Sequence, residues 1–167
     1  MKFKIVNFIL FQIGWFILIL GAAWDKTFIS VLLGLGIIAI HFLIIDKKLS
    51  ELKLLLIAGL IGFLFDGFIQ YYQFIIYNSP GWSFPLTPIW IIILWMIFAI
   101  TLNHSLVWLR KRIILSSIFG AIGGPLAYLA GEKLGAIMIT QQLSLVLLSI
   151  GWALITPLLI SIGKTNA

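Results

Sequence analysis

The stretch LKLLLIAGLIGFLFDGFIQYY, residues 52–72, is apolar over most of its length but carries one aspartate, Asp66, towards its end. About 20 mainly apolar residues are enough for a helix to cross the hydrocarbon core of a bilayer. The stretch therefore predicts a transmembrane helix. At 1.5 Å per residue, Asp66 lies about 21 Å into a core of about 30 Å. A carboxylate at this depth needs a polar partner or water.

The rest of the chain has the same apolar character. Hydrophobic residues make up 62% and charged residues 10% of the 167 positions, and the mean hydropathy is +1.19. Soluble domains have about 25% charged residues. This composition excludes an ordinary soluble domain and predicts an all-α integral membrane protein.

Six apolar segments are long enough to span a bilayer. The connections between them are short, so residues 1–167 are predicted to form a single polytopic membrane domain. The two halves show no useful internal repeat, which gives no support to an inverted-repeat transporter. The predicted spans are residues 5–22, 28–45, 52–72, 88–109, 113–130 and 143–162.

Basic residues predict the orientation of these spans. Two of the eleven basic residues, Lys26 and Lys133, lie on one side of the membrane in this arrangement of spans. Because basic loops stay in the cytoplasm, both termini are predicted to be cytoplasmic. The net charge of +6 lies in short loops, so no nucleic-acid partner is expected. The other nine, on the predicted cytoplasmic side, are Lys2, Lys4, Lys47, Lys48, Lys53, Arg110, Lys111, Arg112 and Lys164.

The first span has an alternative interpretation as a cleavable signal peptide. Basic residues precede its apolar run, and small residues follow it. The run is longer than the 7–15 residues usual for a signal peptide and contains Asn7 and Gln12. A retained transmembrane helix is therefore the favoured interpretation.

The outer halves of spans 3 and 5 contain the first candidate site. Gln70 and Gln73 continue the face of Asp66, which predicts a polar stripe directed outwards. Span 5 has small residues at four-residue intervals and a proline, Pro125, which predict close helix packing and a kink. Lys133 is the expected cation for Asp66, with Lys26 as the second choice. The predicted ligand-binding residues are Asp66, Gln70, Tyr128 and Glu132.

A second polar cluster is predicted towards the cytoplasm. Its amides and imidazoles are either hydrogen-bonding contacts between helices or, at His104, a general base. No acid is placed to orient His104, and two histidines on different helices without cysteine predict no metal site. No cofactor is predicted either. The cluster comprises Asn7, His41, Asn103, His104 and Arg110.

The connection YNSPGWSFPLTP, residues 77–88, contains three prolines and a glycine, which prevent a helix. Trp82, Phe84 and Trp90 suit a membrane interface. Two interpretations stay open, an interfacial belt and a lid over an outward-facing cavity.

The motifs GGPLAYLAGEKLGA and TLNHSLVWL, together with FQIGWF and LIGFLFDGF, resemble a family of small bacterial inner-membrane proteins known as domain of unknown function 2878. The resemblance covers nearly the whole chain and implies a location in the bacterial inner membrane. Genes of this family often neighbour those of cyclopropane-synthase-type enzymes, which implies a link to membrane lipids.

A weaker resemblance, at the level of the fold, is to two other kinds of membrane protein. They are the substrate-capturing subunits of energy-coupling-factor transporters and the rod-shape membrane protein. The alanine-xxx-alanine pattern by which those subunits dock their partner is absent from span 1, where Phe11, Gln12, Gly14 and Trp15 stand instead.

Three functional hypotheses follow from these features. The first is a non-enzymatic bundle that binds or translocates a small amphiphilic or lipid-like ligand from a polar pocket in the outer half. The second is a membrane-embedded enzyme or accessory of lipid modification near the cytoplasmic face, with Arg110 and Arg112 holding a phosphate. The third is a scaffold subunit. Expected partners are membrane lipids, an amphiphilic ligand, and a membrane protein or second copy of the chain.

Overall fold

The computed structural model describes residues 2–46 and 48–165, without the side chains of Lys2, Lys164 and Thr165. Lys47, which the charge count placed on the cytoplasmic side, lies outside the described residues. The all-α class is confirmed, with two short strands that were not expected. The elements are α1 (Lys2–Ala23), α2 (Thr27–Ile44), α3 (Lys48–Tyr71), β1 (Ile75–Tyr77), α4 (Ile89–Leu102), a 3₁₀ turn (Val107–Leu109), α5 (Ile113–Lys133), β2 (Ile137–Ile139) and α6 (Gln142–Thr165).

Five of the six helices found in the described residues are long and apolar enough to cross a membrane. The protein is therefore a multi-pass membrane protein. The exception is α4, whose 14 residues measure about 21 Å at the usual helical rise. This is shorter than the hydrocarbon core of a bilayer.

The predicted fourth span, residues 88–109, was wrong at its second end. The helix ends at Leu102, because the carbonyl of Thr101 accepts the N–H groups of His104 at 3.1 Å and Leu106 at 2.8 Å. These bonds turn the chain out of the helix, and the 3₁₀ turn follows. The residues that were assigned to the last turns of a helix therefore lie in a connection.

The short α4 lies at the centre of the bundle. It packs against α1, α2, α3 and α6, and most of its residues are buried. Neighbouring helices thus cover α4 and shield it from lipid. A helix enclosed by protein can be shorter than the bilayer, because its ends are followed by chain that is itself packed in protein.

The strands hold one end of the bundle together, which we call the ribbon end. They pair antiparallel, with Ile75 opposite Ile139 and Tyr77 opposite Ile137. The amide of Asn78 donates to the carbonyl of Gly135 at 2.7 Å. The connections after α3 and α5 therefore meet at this end.

The turn between α1 and α2 also lies at the ribbon end, because Ser79 Oγ donates to Asp25 Oδ1 at 2.6 Å. Lys26 lies in this turn and Lys133 is the last residue of α5, so both lie at the ribbon end as well. The start of α3 and the chain after α4 lie at the opposite end, which we call the basic end because it carries Lys48, Arg110, Lys111 and Arg112.

Helix α5 runs without interruption from Ile113 to Lys133, so the predicted bend at Pro125 does not break it. It packs mainly on α6. A Cβ atom at Gly120 would overlap the carbonyl oxygen of Trp152, and one at Gly124 would overlap the Trp152 ring. The small residues thus allow the two backbones to approach closely, as their four-residue spacing predicted.

Candidate functional site

Asp66 lies at the centre of a hydrogen-bonded group that we call the aspartate cluster. Its side chain is fully buried. Oδ1 accepts from the hydroxyls of Tyr77 and Tyr128, each at 2.5 Å. Oδ2 accepts from Trp95 Nε1 at 2.6 Å. Three donors satisfy a carboxylate that would otherwise be costly to bury.

Four elements bring these side chains together. Asp66 belongs to α3, Trp95 to α4 and Tyr128 to α5, while the β-ribbon places Tyr77. Trp95 fits against α3 because Gly62 has no side chain, and a Cβ there would overlap the indole. Burial, followed by the neighbouring Asp66, raises the pKa of Tyr77 well above its usual value. Tyr77 therefore stays a hydrogen-bond donor.

The structure separates the four residues predicted to bind a ligand. Asp66 and Tyr128 hydrogen-bond to each other. Gln70 Nε2 donates to the carbonyl of Leu86 at 3.1 Å, and Glu132 Oε1 accepts from the backbone N–H of Ile139 at 2.7 Å. Glu132 thus holds β2 in place. The partners of Asp66 are neutral donors, whereas its expected cation, Lys133, is exposed.

Beside the aspartate cluster lies a cavity of about 450 Å³, which we call the apolar cavity. Helices α1, α4, α5 and α6 contribute its walls, and most of its lining is aromatic, aliphatic or glycine. Its size is in the range of about 300–1,000 Å³ that is usual for small-molecule sites. Lining side chains with polar atoms include Gln12, Thr101, Tyr128, Trp152 and Thr156.

The aspartate cluster fixes one wall of the apolar cavity. Trp95 and Tyr128 line the cavity, and both donate to Asp66. The ring of Trp95 stacks on that of Trp152, with centroids 4.4 Å apart and planes 10° apart. Phe98 meets Trp152 edge to face at 5.2 Å. Asp66 thus orients cavity-lining rings, although it is not itself among the lining residues.

Helices α1 and α5 border one side of the apolar cavity. Helix α1 packs mainly on α2 and α4, whereas α5 packs mainly on α6. The lining includes exposed side chains of both helices, Phe8 and Phe16 from α1 and Phe119 and Leu126 from α5. Exposed residues of both helices therefore form the rim of the cavity on this side.

At the basic end a second group, the glutamate cluster, surrounds Glu51. This residue lies in the first turn of α3 and is 4% exposed. Oε1 accepts from Asn103 Nδ2 at 2.8 Å and lies 3.1 Å from His104 Nε2. Oε2 lies 3.6 Å from His41 Nε2. Arg110 Nη2 in turn donates to Asn103 Oδ1.

Glu51 is the functional candidate that the sequence reasoning missed. The statement that no acid could orient His104 is wrong, since Glu51 is its direct partner. Glu51 lies one residue before the predicted third span, which begins at Leu52, so it was not considered among the polar residues within the spans. The available signal was its position at the start of α3, at the same end of the bundle as His41 in the last turn of α2 and His104 in the connection after α4.

Asn7 belongs to a neighbouring contact and not to the glutamate cluster. Its Nδ2 donates to the carbonyl of Ile100 at 3.0 Å. Its Oδ1 accepts from the hydroxyl of Ser105 at 2.8 Å. Asn7 therefore ties α1 to the end of α4, as a hydrogen bond between helices was expected to do.

The connection after β1 and the start of α4 contain residues in contrasting environments. Trp90, expected at an interface, is instead fully buried, and its Nε1 donates to the carbonyl of Asn78 at 3.3 Å. Phe84 is exposed. Thr87 Oγ1 donates to the carbonyl of Phe63 at 2.5 Å, which ties the connection to α3.

Residues 4–158 match the model of a family described as Protein of unknown function (DUF2878). No curated protein and no solved structure matches the chain, so the fold-level resemblance to transporter subunits and the rod-shape protein stays a prediction. The family match covers most of the 167 residues. This multi-pass membrane protein therefore belongs to the DUF2878 family.

Proposed function

We propose that the protein binds a lipid-like amphiphile, whose apolar chain occupies the apolar cavity after lateral entry between α1 and α5. The observation that carries this proposal is a cavity of about 450 Å³, lined mainly by apolar side chains, with exposed residues of two separated helices at its rim. Such a cavity suits an aliphatic chain.

Polar atoms in the cavity lining favour a ligand that also carries a hydrogen-bonding group. Gln12 lies in the middle of α1, is exposed, and lines the cavity. Thr156 Oγ1 is buried without a hydrogen-bond partner among the described residues. Unpaired polar groups in an apolar setting cost free energy. A ligand hydroxyl, ester or carboxyl group would offset part of that cost.

Two glycines provide a matched test of cavity binding. A Cβ at Gly123 would meet nothing within 4 Å, and Gly123 lines the cavity. A Cβ at Gly36 in α2 also meets nothing within 4 Å, but Gly36 is not among the lining residues. Gly123→Leu therefore fills the cavity, while Gly36→Leu adds the same side chain elsewhere.

The measurement is the amount of amphiphile that stays with the purified protein after detergent exchange, identified by extraction and mass spectrometry. We expect Gly123→Leu to lower the retained amount severalfold and Gly36→Leu to leave it unchanged. Equal retention by the wild type and both variants, with all three folded, would exclude the apolar cavity as the binding site.

The glutamate cluster supports a second candidate function, lipid modification near the basic end. The pair of His104 and Glu51, at 3.1 Å, has the geometry of a base held by a carboxylate. It lies at a cavity of about 470 Å³ that Arg110 also lines. Lipid profiles of cells with wild-type protein and with His104→Gln test this candidate, since identical profiles would leave it without support.

For location we propose the bacterial inner membrane, with the basic end in the cytoplasm. The support is the family resemblance of the motifs and the excess of basic residues at one end. Membrane lipids are the proposed partners in either function.

A further inference from the structure

We propose that His41, Glu51 and His104 bind a divalent transition-metal ion, with zinc as the first choice. The proposal is independent of amphiphile binding, because the glutamate cluster and the apolar cavity share no lining or ligand residue. The sequence predicted no metal site, since it offered two histidines on different helices and no cysteine. The tertiary structure brings both histidines to the carboxylate of Glu51.

The distances between the candidate ligand atoms suit a small ion. One ring nitrogen of His41, one ring nitrogen of His104 and one Glu51 oxygen lie within 4.8 Å of one another. In a tetrahedral zinc site, bonds of about 2.0–2.1 Å place ligand atoms about 3.4 Å apart. The separations here are 3.6 Å from His41 Nε2 to Glu51 Oε2 and 3.1 Å from His104 Nε2 to Glu51 Oε1, so each imidazole faces a different oxygen of the carboxylate.

Unpaired polar atoms give an independent reason to expect an occupant. His41 is 1% exposed, and neither of its ring nitrogens has a hydrogen-bond partner among the described residues. The same holds for Glu51 Oε2. Buried polar atoms without a hydrogen-bond partner cost free energy. One ion would satisfy His41 Nε2 and Glu51 Oε2 together.

The surroundings of Glu51 fit the second layer of a metal site. Asn103 donates to Oε1, and Arg110 donates to the oxygen of the same amide, so the carboxylate is held in one orientation. Such outer contacts orient the ligands of metal centres. Oε2, which faces His41 and has no hydrogen-bond partner, is left for the ion.

The coordination predicts which ion is bound and how exposed it is. Two imidazoles and a carboxylate favour zinc and related transition metals over magnesium or calcium, which prefer oxygen ligands. His104 is 19% exposed at its side chain and lines the cavity at the basic end with Glu51. Three protein ligands beside a cavity leave a fourth position for water or a ligand, as in catalytic zinc sites.

The test is direct metal binding to full-length protein purified without a polyhistidine tag and stripped with a chelator. We expect about one zinc ion per chain by elemental mass spectrometry. Cobalt in its place should give visible absorption bands of tetrahedral or five-coordinate geometry. Glu51→Gln and His104→Asn should both abolish this binding. Ser105→Ala is the matched control, because Ser105 is next to His104 and bonds Asn7 instead of Glu51.

The folded state of every variant is checked by circular dichroism and size-exclusion chromatography. If Glu51→Gln fails to fold, the comparison of the wild type with His104→Asn is the test, because His104 is partly exposed. Zinc should also raise the unfolding temperature of the wild type and not that of His104→Asn. A wild type without bound zinc or cobalt, or variants that bind as the wild type does, would overturn the proposal and leave a hydrogen-bonded cluster or a bridging water only.

Discussion

At the residue scale, Asp66 shows how a carboxylate is kept inside an apolar bundle. Three donors from β1, α4 and α5 converge on its two oxygens. The residue therefore joins three elements to α3, and it sets the orientation of two cavity-lining rings, Trp95 and Tyr128. Its contribution is mainly to positioning, because it has no exposed surface.

We expect Asp66→Asn to lower the free energy of unfolding by about 1–3 kcal/mol. The amide keeps one acceptor for the tyrosines but places an N–H₂ group against Trp95 Nε1–H, so a donor faces a donor. Chemical or thermal unfolding in detergent measures the change.

A double-mutant cycle separates this contact from general damage. Asp66→Asn combined with Trp95→Phe should cost less than the sum of the single substitutions, by about 0.5–3 kcal/mol. Additive effects would show that the contact between Asp66 and Trp95 does not stabilise the protein.

At the element scale, α5 has one face packed on α6 and another open to the apolar cavity. Gly120 meets the backbone of Trp152 and the side chain of Thr156, whereas Gly123 meets nothing. One position therefore requires glycine, whereas the other, three residues further along the same helix, has room for a larger side chain.

Alanine at these two positions should have opposite effects on stability. Gly120→Ala forces α5 away from the α6 backbone, so we expect a loss of more than about 1 kcal/mol. Gly123→Ala adds a methyl group in open space and removes a glycine from a helix, so it should be neutral or stabilising by up to about 1 kcal/mol. Unfolding temperatures of both variants, measured in one detergent, check the contrast. Similar losses at both positions would contradict the packing described here.

At the scale of the whole molecule, the chain has two ends of different charge. Lys26 and Lys133 lie at the ribbon end, while most basic residues lie at the basic end. Positive loops stay in the cytoplasm, so the ribbon end is predicted to face outwards.

Because the chain has no cysteine, single introduced cysteines report this orientation cleanly. We expect a membrane-impermeant maleimide to label Ser83→Cys in intact cells and to label Asp46→Cys only after permeabilisation. Both positions are exposed, one in each set of connections. The reverse pattern would place the ribbon end in the cytoplasm.

Features set by the local run of residues were predictable from the sequence. The apolar runs gave the α-helical membrane class and the approximate positions of the spans, because the bilayer imposes a minimum helix length. The spacing of Gly120 and Gly124 predicted close packing, which α6 provides. The burial of Asp66 also followed from one sequence position, since a carboxylate at that depth requires partners.

The partners themselves depend on residues far apart in the chain. Asp66 is 62 positions from Tyr128, and Glu51 is 53 positions from His104, so no local pattern could pair them. Helix α4 ends earlier than predicted for the same reason. The residues that would continue it, Asn103, His104 and Ser105, contact α3 and α1 instead.

By itself, then, the sequence determined that this protein is a helical bundle in a membrane, since hydrophobicity is a property of each segment alone. Only the tertiary structure decided which polar groups meet. The sequence shows each carboxylate only as a single residue. Its hydrogen-bond donors belong to other helices, to a connection and to the β-ribbon. Their convergence depends on how the whole bundle packs.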